Sequence, residues 1–405
     1  MTLLVQKYGG TSVGSPERIQ AVAERIVRTR RANVGLVVVV SAMGDTTDDL
    51  IDLARRVSSR SHPRELDMLL TSGERISMAL LAMAVNDRGQ EAVSFTGSQS
   101  GIVTDTSHTQ AKILEVKADR IKDELKKGRV VIVAGFQGVS RDREVTTLGR
   151  GGSDTTAVAL AAALDALECE IYTDVDGVYT ADPRVVPGAR KLKALSYDEM
   201  LELASLGARV LHNRSVEIAR RFGVPVHVRS SFNWNEGTRI AKGESMEQVV
   251  IRGIAHDADV AKVALLGVPD RPGVAAEIFR AIGGHGVNVR MIVQASAAEG
   301  KNDVTFAVGA HEVGAVLPIV EEMRKRLGAR AFVYDPDVAI LSVVGEGLAT
   351  SAGTAGLVFE ALAKAGVNIE LISTSSITIT CIVRQADVER AVRSLHEALS
   401  LEQEP

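Results

Sequence analysis

Two stretches of this chain repeat each other. "GVAAEIFRAIGGHGVNVRMI", from Gly273, returns as "GTAGLVFEALAKAGVNIELI", from Gly353. Gly273, Ala275, Phe279, Ala281, Gly286, Val287, Asn288 and Ile292 recur 80 residues later as Gly353, Ala355, Phe359, Ala361, Gly366, Val367, Asn368 and Ile372. A duplicated unit must fold as the same block twice, and two copies are too few for a solenoid. Each copy offers a strand (261–268; 338–345), a helix, a strand starting at Gly-Val-Asn, a further strand and a second helix. That order is βαββαβ, a small α+β sheet with helices on one face. The copies span 260–335 and 336–405. Before them, 241–259 contains Gly243 and several charges and reads as a linker.

Residues 1–240 follow a different rule, with strand and helix signals alternating. A short strand covers 3–6. Ser15 can cap a helix with Pro16 at its first position and Ile19, Val22, Ile26 and Val27 as its apolar stripe. "VGLVVVVSA" (34–42) is a continuous β-branched run, as in a parallel strand buried on both faces. "RVVIVAG" (129–135) and "ECEIYTD" (168–174) read alike, and 110–127 and 154–166 read as helices. The fold class is therefore α/β, a layered α/β/α domain with a mainly parallel sheet, in which ligands collect at the carboxyl ends of strands.

Composition removes several functions. A net charge of −4 argues against coating nucleic acid or a membrane surface. Only 3% of residues are aromatic, which argues against a base-stacking platform. No apolar run approaches the ~20 residues that span a bilayer. Lys7 and two glycines follow the first apolar residues, which is not a signal peptide. Cys169 and Cys381 sit in apolar, strand-like runs and read as buried thiols of a reducing compartment. No His/Cys metal cage is visible. The expected location is the cytoplasm, with no nucleic-acid or membrane partner.

Four motifs carry the chemistry. "KYGGTSVG" (7–14) puts Gly9 and Gly10 between a strand and a helix, where backbone N–H groups can approach an anion and Lys7 adds a mobile charge. It is neither Walker A nor G-x-G-x-x-G, and its bland reading is a tight turn with an exposed lysine. "TTLGRGGSDTTA" (146–157) places Arg150, a Gly-Gly pair, Ser153 and Asp154 before an alanine-rich helix. Asp154 could be a plain N-terminal aspartate, but Arg150 and the glycines point to phosphate. "TDVDGVYTADPR" (173–184) could hold a base and ribose, with Arg184 reaching phosphates, or be a long polar loop. "SAMGDTT" (41–47) suits a small polar substrate at a strand end. From chemistry alone, Glu74 and Arg75 in "TSGERIS" read as a solvated helix face.

In this order, with Glu74 in "TSGE" and the tandem repeat behind them, these motifs resemble those of the aspartate kinases, in the amino acid kinase family, over nearly the whole chain. The repeats look like that family's ACT regulatory domains. The resemblance implies that ATP and L-aspartate give ADP and 4-phospho-L-aspartate, the first step toward lysine, threonine and methionine, with Mg²⁺ bound to the ATP. It implies that Lys7, Asp154 and Arg150 are catalytic. Ser41, Thr47, Glu74, Arg150 and Ser153 would bind aspartate, Glu74 through its ammonium. Lys7, Gly9, Gly10, Thr173, Asp174, Tyr179, Asp182, Arg184 and Arg209 would contact the nucleotide.

In the repeats, an effector such as threonine or lysine would meet its two charges at a helix start. The first copy offers "DRPG" (270–273) and the second Ala349-Thr350-Ser351. The residues expected there are Asp270, Ala275, Asn288, Val289 and Gln294, with Asn368 and Ile369 in the second copy. Small sheets of this kind complete their edges by pairing, so a homodimer or higher oligomer through the repeats is expected. In some relatives a separate regulatory subunit starts near the position of Met246, so the resemblance also admits a partner subunit of the same C-terminal sequence. Three positions depart from the family's pattern: Asn213, where proline follows the histidine of "LH", and Arg290 and Ser376, where acidic residues are common. The last two leave the effector's identity open. Two rivals are an N-acetylglutamate kinase and a non-catalytic amino-acid sensor. The first would lack the tandem repeat and the need for Glu74. The second would be expected to have lost Lys7, Asp154 or the Gly-Gly turns.

Overall fold

A computed structural model describes residues 2–30, 34–60, 62–208, 210–243, 250–296, 300–346, 348 and 353–403. The chain forms two compact units. The first comprises Met1–Val178, Lys191–Ser205 and Arg209–Glu244. The second comprises Tyr179–Arg190, Leu206–Ala208 and Ser245–Pro405.

The first unit is built on an eight-stranded sheet. Its spatial order is Ala194–Ser196, Thr238–Ala241, Val226–Ser230, Glu168–Thr173, Leu3–Tyr8, Gly35–Val40, Val130–Ala134 and Ala92–Phe95. Every pairing is parallel except that between Val226–Ser230 and Thr238–Ala241. The strand Gly35–Val40 is buried at all six positions, as its β-branched run demands. The chain passes from the central strand Leu3–Tyr8 to neighbours on both sides, which makes its carboxyl end the switch point where a crevice opens. The helices Pro16–Arg30 and Pro63–Asn86 cover one face, packing Ile19, Val22, Ile26, Leu81 and Val85 against Tyr8, Val38, Val40 and Ile132. Ser15 caps the first of them, its hydroxyl accepting from Arg18 N–H. The helix Gly152–Ala163 packs on the central strands from the other face. Pro63–Asn86 is long and apolar enough to cross a bilayer, but it is a core helix, with Asp67, Thr71, Glu74 and Ser77 buried.

One expectation changes here. The stretch 110–127 is helical only over Asp119–Lys126. Ile113–Val116 is a strand, paired antiparallel with Ile102–Thr104 in a separate four-stranded sheet. Its apolar spacing fits either period, and tertiary pairing decides.

The second unit carries a six-stranded sheet in the order Val289–Ser296, Lys301–Gly309, Val250–Pro269, Ala331–Glu346, Thr378–Arg384, Ile369–Thr374. Both Gly-Val-Asn strands are thus the outer edges. The linker expected over 241–259 is strand from Val250 onward, because Ala331–Glu346 supplies an antiparallel partner along most of its 20 residues. Gly253 and the charges that suggested a loop sit inside that ladder. The segment Tyr179–Arg190, which interrupts the first unit in sequence, also belongs here. Ala181, Val185 and Val186 enter a core with Leu341, Val343, Val358 and Leu362. Thr180 Oγ1 lies 2.9 Å from His396 Nε2, and Arg393 donates to the Val185 carbonyl at 2.9 Å.

Candidate active site

Side chains alternate along a strand, so Lys7 points to the face opposite Gln6 and Tyr8, toward the helix Gly152–Ala163. Asp154 is in that helix's first turn, and its carboxylate is 2.6 Å from Lys7 Nζ. Both side chains are nearly enclosed. The turn after Lys7 is held from both sides. Gly9 N–H donates to the Tyr172 carbonyl at 3.2 Å, and Gly44 N–H donates to the Gly10 carbonyl at 3.1 Å. A Cβ at Gly10 would stand 3.0 Å from the carbonyl oxygens of Ala42 and Gly44, so the close approach accounts for this glycine.

Glu74 corrects the reading of a solvated helix face. It is 3% exposed. Gly73 lets its helix approach the end of Gly35–Val40, where a Cβ would stand 2.8 Å from Ala42 Cβ. Glu74 Oε1 accepts from Ala42 N–H at 3.2 Å. Its Oε2 is buried with no partner among the described residues. Burial pushes its pKa up from 4.5 to about 7. Ser41 and Thr47 lie close by in sequence, Ser41 with its N–H on the Tyr8 carbonyl and Thr47 in the first turn of Thr46–Val57; both are partly exposed.

The 149–153 loop closes on the same crevice. Gly149 and Gly151 take left-handed φ of +78° and +71°. A side chain at Gly151 would strike His212, whose ring atoms come within 2.3 Å of the Cβ position. Arg150 is exposed and Ser153 is 8% exposed; Gly135 makes room for the Ser153 hydroxyl, which would lie 2.7 Å from a Cβ there. Arg214 holds this loop, donating to the Leu148 carbonyl at 2.6 Å and the Ala111 carbonyl at 2.5 Å. Sequence reasoning missed Arg214 and His212 as builders of the site. Their signal was present in "LHNRS", but nothing local says that its target is a loop 60 residues earlier. Asn213 opens the helix Asn213–Phe222 and donates to the Ser205 hydroxyl at 2.7 Å.

Thr173 ends the strand Glu168–Thr173. Its carbonyl accepts from Ser231 N–H, and its hydroxyl donates to Asp174. Ser231 Oγ is 2.5 Å from Ser12 Oγ, which joins this strand end to the glycine turn. Tyr179, Asp182 and Arg184 fall in the second unit and are not gathered with these residues by the first unit's own fold. Arg184 grips Asp182 in a two-pronged pair, 3.0 and 2.7 Å, which holds the Asp182 carboxyl below the usual carboxylate range. Arg209 lies outside the described residues.

In the first repeat, Asp270, Ala275 and Gln294 line a cavity of about 100 Å³ at the start of the helix Val274–Gly283. Asn302, not expected from the sequence, also lines it and donates to Asp270 at 2.9 Å. The repeat gave no hint of it, since the residue 80 positions later is Ile382. Asn288 and Val289 do not line this cavity, and the exposed Asn288 gives its N–H to Glu312. Asn368 is exposed and Ile369 partly buried at the matching turn of the second copy. Ala349-Thr350-Ser351 and Met246 lie outside the described residues. One His-carboxylate trio, Glu168, Glu170 and His227, comes close enough to share an ion. Arg239 and Arg229 already neutralise its carboxylates, at 2.5 and 2.8 Å.

The amino acid kinase family model matches residues 2–230, and ACT domain models match 262–324 and 341–399. The chain is 52% identical to an aspartokinase of Mycolicibacterium smegmatis, over 99% of this chain and 97% of that one. It is 51% identical to an aspartate kinase of Pseudomonas putida, over 99% and 98%. Among solved structures, E. coli aspartokinase III in complex with aspartate and ADP superposes with a TM-score of 0.83 at 26% identity, covering 98% of this chain and all of that one. The same enzyme in complex with lysine and aspartate gives 0.75, covering 98% and 99%.

Proposed function

Since the chain belongs to the aspartokinases, phosphotransferases of the amino acid kinase family, we propose that the crevice around Lys7, Glu74 and Arg150 makes 4-phospho-L-aspartate from ATP and L-aspartate. One observation carries the assignment of the amino-acid end: Glu74, buried, with one carboxylate oxygen unanswered and its pKa raised to about 7. Such a carboxylate is costly unless a cation arrives, and the substrate's ammonium is that cation. Arg150, beside the start of the helix Gly152–Ala163, takes the α-carboxylate, with Ser41, Thr47 and Ser153 adding hydroxyls.

The β-carboxylate of aspartate is already a nucleophile, so the reaction needs positioning and charge neutralisation more than a base. It attacks the γ-phosphorus, the bond to the bridging oxygen breaks, and ADP leaves. Lys7, set by Asp154, meets the charge on the transferring group. Gly10 offers its N–H group to the phosphates, Gly9 lets the backbone come close to them, and Thr173 and Asp174 serve the nucleoside side. Mg²⁺ enters with ATP as part of the substrate. The roles inferred for Tyr179, Asp182, Arg184 and Arg209 extend the nucleotide contacts.

The cavity at Asp270 suits an amino-acid effector, with Asp270 for its ammonium and the helix start for its carboxylate. Threonine and lysine are the candidates, as end products of the pathway this step opens, which also leads to methionine. The outer strands Val289–Ser296 and Ile369–Thr374 expose Ile292 and Ile372 at matching places. They offer edges for a second copy of the chain. The reading places the enzyme in the cytoplasm.

The test is a coupled ADP-release assay offering L-aspartate, L-glutamate and N-acetyl-L-glutamate. Turnover with aspartate alone is expected. Preference for the acetylated substrate would overturn the Glu74 assignment.

A further inference from the structure

The helix Pro63–Asn86 holds a second buried carboxylate, Asp67, seven residues before Glu74. Seven residues are two turns, so both stand on one face, about 10 Å apart along the axis. Asp67 has no exposed surface. Its donors come from the loop that holds His108 and Thr109 and from the end of the short strand Val145–Thr147. Thr147 Oγ1 donates to Oδ1 at 2.6 Å, Thr109 N–H reaches both oxygens at 3.0 and 3.2 Å, and His108 Nδ1 lies 2.7 Å from Oδ2.

That loop and strand end form one body with Arg150. Thr147 stands three residues before it. Ala111 N–H donates to the Thr147 carbonyl at 2.9 Å. Thr109, a non-glycine residue at a left-handed φ of +67°, presents its carbonyl to Gly149, where a Cβ would stand 3.0 Å away. A residue in that conformation persists only when its surroundings impose it, and the Asp67 carboxylate on its N–H does so. One rigid helix therefore bears the candidate ammonium anchor and, two turns earlier, the fastening of the loop that bears the candidate carboxylate anchor.

We propose that Asp67 is a positioning residue that sets the span between Glu74 and Arg150, and through it the preference for aspartate over the longer glutamate. The inference rests on the roles proposed above for those two residues. With the α-amino and α-carboxylate groups pinned at a set span, only one side-chain length brings the distal carboxylate into line with the γ-phosphorus. A displacement near 1 Å typically costs about 10²-fold in rate.

The experiment is Asp67→Asn in the full chain, assayed with aspartate, glutamate and ATP varied in turn. Asparagine keeps the shape and turns one acceptor into a donor facing donors. The KM for aspartate is expected to rise about 10-fold or more and the aspartate:glutamate ratio of kcat/KM to fall about 10-fold, with the KM for ATP moving less than about twofold. An unchanged aspartate KM in a folded variant overturns the proposal, as does a parallel rise for aspartate and ATP. If Asp67→Asn does not fold, Thr147→Val, which removes one hydroxyl, must show the same split, and Thr147→Ser must restore the wild-type aspartate KM. A Thr147→Val enzyme with wild-type constants overturns it too. A wild-type chain that does not phosphorylate aspartate would instead sink the functional assignment itself.

Discussion

The repeats and the kinase crevice treat charge in opposite ways. In the repeats, charges answer one another. Lys262 lies between Glu370 and Asp335, Arg384 reaches both of those carboxylates at 2.7 and 2.8 Å, and Arg290 pairs with Asp257. Arg290 and Glu370 even occupy matching positions of the two copies with opposite sign. In the kinase unit, Glu74 is buried with one oxygen unanswered, and the pair Lys7–Asp154 stands at the mouth of a glycine turn. A scaffold closes its charges, because an unpaired buried ion costs several kcal/mol. A site leaves one open and lets the ligand close it. The first repeat sits between these limits, with Asp270 answered, among the described residues, by a neutral amide, Asn302.

The largest effect should follow from removing the cation of the glycine turn. Lys7→Ala is expected to lower kcat by ~10²–10³ while far-UV circular dichroism stays native. Near-wild-type turnover would take Lys7 out of the mechanism.

Glu74→Gln should raise the KM for aspartate about 10–100-fold and leave that for ATP nearly alone. It should also flatten a pH dependence. In the wild type, only ionised Glu74 takes the ammonium, so the aspartate KM should climb as pH falls below about 7. A profile identical in wild type and variant would remove Glu74 as its source.

In the repeats, Asp270→Ala should abolish inhibition by millimolar threonine or lysine, a loss of about 5–30-fold for a coupling of ~1–2 kcal/mol. Calorimetry on the full chain would report whether the effector still binds. If the wild type neither binds nor responds to either amino acid, the cavity is not an effector site.

The effect on stability sharpens the contrast most, because its sign should differ between the units. Glu74 keeps its proton to about pH 7 when folded but releases it near 4.5 when unfolded. Its folded pKa is raised, so stability falls as pH rises through that window, by up to ~3 kcal/mol. Glu74→Gln should therefore melt higher than wild type at pH 8 without substrate, and at the wild-type temperature near pH 4. Glu370→Gln, which strips Lys262 and Arg384 of a partner, should melt lower at pH 8, by ~1–3 kcal/mol. Shifts of the same sign in differential scanning calorimetry would erase the distinction.

The difference between the units also explains what was legible. Turn chemistry is local: "KYGGTSVG" and "TTLGRGGSDTTA" announced a site because glycine, lysine and arginine are rarely gathered between strand and helix for packing alone. The repeat was equally plain. Glu74 was not, because its burial depends on Gly73 meeting Ala42, a contact across 31 residues that only the fold brings about. The strand from Val250 was hidden by Gly243 just before it and by the charges around it, which look like a loop until the partner strand is present. Ile113–Val116 satisfied both periodicities, and pairing with Ile102–Thr104 chose between them.

The segment Tyr179–Arg190 bears on how these enzymes could be recombined. It leaves the kinase unit in mid-sequence, seats Ala181, Val185 and Val186 in the core of the second repeat, and returns. A chimera that exchanges regulatory halves at residue 245 would seat those three side chains in a foreign core, and a C-terminal fragment expressed alone would lack them. The exchangeable part is discontinuous: a donor must supply residues 179–190 and 206–208 together with its repeats.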